Sequence, residues 1–153
     1  MKTILSFLAF LFVTISVSAC NRPKENIVQT DTVKTMKIKI TAGEKFLTAT
    51  MIDNETTNAF LKQLPLTLKM TELHQNEKYG NLSERLPGKA VRPGTIHAGD
   101  LMLWDADYKC LVLFYKTFNS PYSYVKLGTV DQLQELEAVL GKGDVELRFE
   151  QIN

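Results

Sequence analysis

Alternation of apolar and polar residues is the dominant pattern of the chain from residue 36 onward. In "MKIKITA", residues 36–42, the apolar residues Met36, Ile38 and Ile40 share one face, as a half-buried strand requires. Further strands are predicted in "FLTATMI", "LTLKMTEL", "YSYVKLG" and "DVELRFEQI", and in the apolar runs "DLMLWD" and "CLVLFYK". "EKYGNL" is an eighth strand candidate, with a bulge or turn at Gly80 and Asn81 as the alternative. Because "DLMLWD" and "CLVLFYK" are apolar on both faces, we expect them to be the most central strands.

The segment "DNETTNAFLKQLP", residues 53–65, predicts a short helix. Either Asp53 or Asn54 can act as its N-cap, because both side chains accept hydrogen bonds from free backbone N–H groups. Pro65 ends the helix, since proline has no N–H to donate and clashes with the preceding turn.

A second helix is predicted in "DQLQELEAVLG", residues 131–141. Asp131 and Gln134 have the spacing of a capping box, and Gly141 supplies the C-terminal cap. The predicted apolar face comprises Leu133, Leu136 and Leu140.

The order of these elements is two strands, a helix, five strands, a helix and a final strand. Neighbouring strands are joined by short segments and can pair antiparallel. A closed barrel of about eight strands leaves no free edge and fills with side chains, so we expect a mainly β fold of this kind, with the two helices covering its ends. A two-sheet sandwich is the alternative. This barrel domain is predicted to span residues 36–153.

Residues 1–19 have the layout of a secretory signal peptide. A single Lys2 precedes an uncharged apolar stretch, residues 4–17, and small residues follow it. The apolar stretch is shorter than the roughly 20 residues that a membrane-spanning helix needs. We therefore expect this segment to be removed from the mature protein.

The sequence "VSAC", residues 17–20, resembles the bacterial lipobox. In lipoproteins of that type the cysteine thiol is alkylated by a diacylglycerol and the peptide is cut before it, so the resemblance implies lipidation of Cys20. Several acyl chains on one residue anchor a protein stably to a bilayer. Residues 20–35 then form a lipidated N-terminus and flexible tether, and membrane lipid is the expected partner at the cell envelope. Asn21 favours the outer membrane over the inner one. The alternative is a secreted protein with an incidental cysteine.

Charge, cysteine count and histidine spacing argue against a nucleic-acid-binding, disulfide-bonded or metal-binding protein. Removal of residues 1–19 lowers Lys plus Arg from 18 to 17, equal to the 17 Asp plus Glu, so the mature chain has no basic surplus for nucleic-acid binding. Lipidated Cys20 leaves Cys110 without a disulfide partner, and its apolar neighbours indicate a buried, inert thiol. His74 and His97 lack metal-ligand spacing, and no phosphate-binding glycine loop is present, so we expect neither metal nor cofactor.

The long segment from residue 94 to 141 resembles the bacterial cyclophilin-like domain family. The matching pieces are Gly99-Asp100-Leu101, Leu111 through Tyr115, Tyr122 with Tyr124, and Leu127-Gly128. Upstream, "NAFLKQLPLTLKMTEL" is similar to the first helix and following strand of that family, so the resemblance covers roughly residues 36–150. It implies a small closed barrel of the cyclophilin type.

This resemblance does not imply prolyl isomerase activity. Cyclophilins that rotate X-Pro bonds have an arginine near the prolyl carbonyl, and this sequence lacks their phenylalanine-histidine-arginine motif and their glutamine-bearing strand. We expect a non-catalytic domain that binds a peptide or small ligand. The alternative is a peptidyl-prolyl isomerase that acts on exported proteins.

Aromatic residues around "KTFNSP" are the main candidates for such a binding site. Tyrosines at a loop between strands offer apolar area together with a hydroxyl group. Ordinary barrel packing would explain the same residues. The full set of candidates is Tyr115, Tyr122, Tyr124, His97 beside Asp100, and Arg85, and by chain order Glu77 and Tyr79 fall near the same rim.

Overall fold

The computed structural model describes residues 35–152. The predicted signal peptide, the predicted lipidation site Cys20 and residues 21–34 lie outside the described part of the chain. The described elements are β1 (Lys37–Ala42), β2 (Lys45–Met51), α1 (Glu55–Leu61), β3 (Leu66–Leu73), β4 (Glu77–Asn81), β5 (Gly94–Ile96), β6 (Asp100–Trp104), β7 (Cys110–Phe114), β8 (Phe118–Ser120), β9 (Tyr124–Val130), α2 (Leu133–Leu140) and β10 (Val145–Ile152).

Eight strands form a closed antiparallel barrel in the order β1-β10-β3-β4-β7-β6-β9-β2, with β2 paired to β1. The last strand, β10, lies between β1 and β3, and its Phe149 pairs with Ile40 on one side and Leu66 on the other. All eight are the strands that the alternation predicts. The predicted mainly β barrel is therefore confirmed.

The barrel interior is filled by the apolar face of each strand and by one side of both helices. Phe60 of α1 packs edge-on against Phe149 of β10, with ring centroids 6.1 Å apart and both side chains fully buried. Leu136 and Leu140 of α2 are buried in the same cluster. Removal of this apolar surface from water is the main stabilising contribution to the fold.

Helix α1 begins as predicted. The Asn54 side chain accepts a hydrogen bond from the Thr57 backbone N–H at 2.8 Å, which makes Asn54 the N-cap. The helix ends at Leu61, before Pro65.

Helix α2 differs from its prediction in two respects. Asp131 does not cap it, because its carboxylate accepts hydrogen bonds from the hydroxyls of Thr48 and Thr50 on β2, at 2.8 and 2.7 Å. The buried face also differs from the predicted one. Leu133 is 46% exposed, and Val139 is buried in its place beside Leu136 and Leu140. Gly141 follows the helix with φ of 65°, as the predicted C-terminal cap requires.

Two short strands that the sequence analysis did not predict form a ribbon outside the barrel ladder. β5 pairs antiparallel with β8, and Ile96 lies opposite Phe118. The β5–β8 ribbon contributes Ile96 and Phe118 to a second, smaller apolar cluster, separate from the barrel interior. None of the helices within residues 35–152 has the length and apolar character needed to cross a bilayer.

Candidate functional site

The outer faces of β6 and β7 form the floor of the candidate site. Along β7, Leu111 and Leu113 belong to the barrel interior, so Cys110, Val112 and Phe114 point outward. Met102 on β6 and Tyr124 on β9 join them in the second cluster. The apolar character of both faces in these strands, predicted from the sequence, thus has a structural cause: each strand is packed on both sides.

Beside this cluster lies a cavity of about 400 Å³, which we call the aromatic cavity. Its walls come from β4, β6, β7 and the segment that joins β8 to β9. The side chains that determine its character are Glu77, Tyr79, Trp104, Phe118, Tyr122 and Tyr124. The cavity therefore combines five aromatic rings with one carboxyl group.

Strand pairing places Glu77 and Tyr79 on the outer side of the barrel wall. Glu77 pairs with Phe114, and Tyr79 pairs with Val112, and directly paired residues share a face. Lys78 between them points inward and is fully buried. Its ammonium group bonds to the Glu72 carboxylate and to the carbonyl oxygens of Gly141 and Gly143.

The Glu77 carboxyl is the one charged group of β4 in the aromatic cavity. Burial, together with repulsion from the nearby Glu72 carboxylate, raises the pKa of Glu77 from 4.5 to about 7. Neither a hydrogen bond nor an ion pair to the Glu77 side chain is found among residues 35–152. The group is thus close to half ionised at neutral pH.

The fold brings Tyr122 and Tyr124 together in the aromatic cavity with Glu77 and Tyr79, which chain order placed near the same rim. Tyr124 is 6% exposed and packs edge-on against Phe114, with ring centroids 5.5 Å apart. Tyr122 is 58% exposed and meets Trp104 edge-on at 6.3 Å. One ring therefore builds the floor and the other stands at the mouth.

Tyr115 lies away from these two residues. Its hydroxyl donates to Glu72 Oε1 at 2.7 Å, and its ring lies 5.5 Å from the Lys78 ammonium. These contacts face a separate, more polar cleft of about 570 Å³ that is bordered by Glu72, Lys116 and Glu137. Tyr115 is therefore part of a charged cluster at one end of the barrel.

His97 and Arg85 also lie outside the aromatic cavity. The His97 side chain is 67% exposed, with Nδ1 4.0 Å from Asp100 Oδ2, and its backbone N–H donates to that carboxylate oxygen at 3.0 Å. The Arg85 guanidinium stacks on the Tyr108 ring at 4.7 Å. The buried Asp100 carboxylate is paired with Lys126 at 2.6 Å. The predicted site residues thus occupy four separate places.

Cys110 lies in the cavity floor as a free, buried thiol. Burial raises its pKa to about 11, with further contributions from Asp107 and Glu77. Because the thiolate is the reactive form, the raised pKa disfavours reaction of this thiol at neutral pH. No group of three or more His, Cys, Asp or Glu side chains is placed to hold a metal ion in the described range 35–152.

Trp104 is a cavity residue that the sequence analysis did not include among the candidate ligand-binding residues. The sequence does contain an indication of this position. Trp104 and Met102 are two residues apart, so they share one strand face, and the sequence analysis named no element that covers that face. Outward-facing apolar residues on a barrel strand indicate a covering element or a ligand site.

The comparisons with known proteins agree with this architecture. The model of the Cyclophilin-like family matches residues 40–150. In three dimensions the chain is similar to the hypothetical protein AF2241 from Archaeoglobus fulgidus, determined in solution, with a TM-score of 0.53 and 16% identity over 77% of this chain and 95% of that one. At that identity the likeness concerns the fold alone. No curated protein matches the chain significantly.

The family model covers more than half of the 153 residues, and the closed eight-stranded barrel agrees with it. The predicted resemblance is confirmed over nearly the whole described domain. This chain belongs to the cyclophilin-like family.

Proposed function

We infer that this protein is a lipid-anchored component of the bacterial cell envelope whose cyclophilin-like domain binds a peptide segment or small ligand without catalysis. The binding site is the aromatic cavity. Its volume of about 400 Å³ falls in the range of small-molecule sites, and such sites are mostly apolar with a few placed polar groups.

The observation that supports this proposal most directly is the placement of Tyr122 and Trp104. Tyr122 is an exposed large aromatic side chain that stands over a cavity, in edge-on contact with Trp104. An aromatic residue held this way loses little entropy when a ligand covers it and offers a large apolar contact area.

The site favours binding over prolyl isomerisation. An isomerase of the cyclophilin type needs an arginine beside the prolyl carbonyl, and Arg85 is stacked on Tyr108 instead. Within the described residues, the cavity lining includes no arginine. The anchoring part of the proposal rests on the apolar segment and on the "VSAC" sequence.

A ligand screen tests the binding proposal. Aromatic fragments and short peptides are screened against the purified full chain by ligand-observed NMR, and hits are repeated with Tyr122→Ala. Loss of the large contact surface should weaken binding about tenfold. Phe46→Ala is the matched control, because Phe46 is equally exposed at 57% but lies on β2, outside the cavity. Equal weakening in both variants, or no hit, would count against the site.

A protease-coupled assay with a proline-containing peptide tests the catalytic alternative. We expect a rate equal to the uncatalysed background. Turnover that Arg85→Ala abolishes would establish the isomerase in place of the non-catalytic domain.

Incorporation of labelled palmitate in a bacterial host tests the anchor. We expect label in the wild-type chain and in Cys110→Ala, and none in Cys20→Ala. An unlabelled wild-type chain, or Cys20→Ala that still fractionates with membranes, contradicts the proposal.

A further inference from the structure

We propose that the aromatic cavity binds a small organic cation, an apolar molecule with one protonated amine that pairs with the Glu77 carboxylate. This inference rests on the proposed ligand-binding function and adds the chemical class of the ligand. It follows from three features of the cavity: an unpaired carboxyl, aromatic walls and the sign of the surrounding charge.

The unpaired state of Glu77 sets it apart from the other partly buried carboxylates of the barrel. Asp100 is paired with Lys126 at 2.6 Å, and Asp131 with Lys37 at 2.8 Å. Glu72 is paired with Lys78. Glu77, on the same hairpin as Glu72, has no cationic partner among residues 35–152. Partial burial makes ionisation of Glu77 unfavourable, and a ligand cation beside it would offset that cost.

The cation next to Glu77 in the chain cannot take that role. Lys78 follows Glu77 in the chain, but its side chain passes to the opposite side of the β4 strand. There its three N–H donors are occupied by Glu72 and by the carbonyls of Gly141 and Gly143. The negative potential at Glu77 is therefore left for a molecule that enters from solvent.

The aromatic walls suit a cation with an apolar body. An ammonium group within about 6 Å of an aromatic face is attracted by the ring quadrupole, most strongly by tryptophan and tyrosine. The rings of this kind that line the cavity are Tyr79, Trp104, Tyr122 and Tyr124. Phe118 and Val112 supply purely apolar surface for the rest of the ligand.

The charge of the cavity lining also disfavours anionic ligands. Neither lysine nor arginine lines the cavity within the described part of the chain, and His74 is the one basic side chain there. A carboxylate or phosphate ligand would meet Glu77 without a compensating cation. Neutral molecules can enter, but they leave Glu77 unpaired.

Ion pairing with Glu77 makes binding depend on pH. A bound amine favours the ionised carboxylate, so binding releases a proton wherever free Glu77 is protonated, and affinity falls as the pH drops below about 7. The other titratable groups around Glu77 are His74 in the β3–β4 turn, Glu72 on β3, and Tyr79, Cys110, Tyr122 and Tyr124 in the walls. Among these, His74 is the one imidazole in the cavity lining, so a variant at this position separates its contribution from that of Glu77.

Three probes that share a phenyl ring and a two-carbon spacer test the proposal on the purified full chain: phenethylamine, 2-phenylethanol and 3-phenylpropionate. Trp104 is the sole tryptophan of the sequence, so its fluorescence reports on the cavity directly. At pH 8 we expect the amine to bind about tenfold more tightly than the alcohol, and the acid to bind weakest. Between pH 8 and pH 5.5 the affinity for the amine should fall about tenfold, while that for the alcohol stays constant.

Variants assign these effects to Glu77. Glu77→Gln keeps the shape and should remove both the amine's advantage over the alcohol and the pH dependence of that advantage. His74→Asn also changes the cavity lining and can shift both affinities, but the ratio of amine to alcohol affinity and its pH dependence should remain. Equal binding of amine and alcohol overturns the cation inference and leaves the ligand-binding proposal standing. If His74→Asn abolishes the pH dependence and Glu77→Gln does not, the assignment to Glu77 is wrong. If none of the three probes binds, the cation inference fails, and the fragment and peptide screen with Tyr122→Ala decides the ligand-binding proposal separately.

Discussion

Glu72 and Glu77 lie on the two strands of one hairpin, and only Glu72 has a cation beside it. Burial opposes ionisation of Glu72, but hydrogen bonds from Lys78 and Tyr115 outweigh it and hold its pKa below the ordinary value. For Glu77, burial and the negative charge of Glu72 act in the same direction and raise the pKa to about 7. The two paired strands thus carry two carboxylates in different settings. Glu72 has Lys78 as a cationic partner at the end of the barrel, and Glu77 lies in the aromatic cavity without one.

The first prediction concerns the pH dependence of stability. The folded state holds the Glu77 proton up to about pH 7, whereas the unfolded chain loses it near 4.5, so stability should fall as the pH rises from 4.5 to 7. Glu77→Gln removes this penalty. We expect the variant to be more stable than wild type by about 1–2 kcal/mol at pH 8, after allowance for solvent screening, and equal at pH 4.

Urea unfolding followed by Trp104 fluorescence at both pH values measures this difference. The control for the substitution itself is Glu146→Gln, which makes the same chemical change at an exposed position on β10, outside the aromatic cavity. A Glu77→Gln variant that is less stable than wild type at pH 8 would show that the carboxylate has a favourable partner.

The second prediction concerns the fully buried Lys78 ammonium. Glu72→Gln leaves that charge with neutral acceptors only, so we expect a loss of about 3 kcal/mol in the free energy of unfolding. The double variant Glu72→Gln/Lys78→Met removes the uncompensated charge and should recover part of the loss. A double variant that loses the full sum of the two single effects would show that the pair is not coupled.

The third prediction tests the close approach of β2 and β9. A Cβ atom at Gly128 would lie 2.5 Å from the Thr50 carbonyl oxygen and 2.9 Å from Met51 Sδ, so Gly128→Ala forces the strands apart. We expect a cost of about 2–3 kcal/mol. Gly43→Ala is the comparison, since Gly43 has φ of 58° with open space around it and should cost only about 1 kcal/mol of backbone strain. Thermal unfolding ranks the two variants, and the reverse order would contradict the packing explanation.

The fourth prediction concerns Asp131, which links the start of α2 to β2. Although burial opposes its ionisation, hydrogen bonds from Lys37, Thr50 and Thr48 keep its pKa below 3.8. Its stabilisation is present above pH 3.8 and is lost as the pH falls through the lowered value. Asp131→Ala should therefore cost about 1–2 kcal/mol at pH 7, and the difference from wild type should shrink toward pH 3. A constant difference down to pH 3 would indicate that the charge is irrelevant.

The barrel could be predicted from the sequence because its strands have strong two-residue alternation or long apolar runs. The β5–β8 ribbon could not be predicted, because "GTI" and "FNS" are three residues each and too short to show a period. The prediction of a capping box at Asp131 was wrong for a different reason. Its competing partners, Thr48 and Thr50, are more than 80 residues earlier in the chain, and only the folded barrel brings them close.

The candidate site was harder to predict than the fold. Chain order groups Tyr115 with Tyr122 and Tyr124, but Tyr115 follows the end of β7 and contacts the charged cluster at Glu72. Glu77 and Lys78 are adjacent on β4, so their side chains point to opposite faces. A lysine rarely points into a barrel, so the inward orientation of Lys78 could not be expected from the sequence. From the sequence alone, Lys78 would be assigned to the outer face of β4. Its ammonium points inward because it donates hydrogen bonds to the carbonyl oxygens of Gly141 and Gly143, in the loop after α2.

The β5–β8 ribbon stands apart from the ladder that closes the barrel. Phe118 and Ser120 of β8 line the aromatic cavity but take no part in the pairings that close the barrel. Substitutions at these two positions can therefore change the cavity lining while every barrel strand keeps its partners.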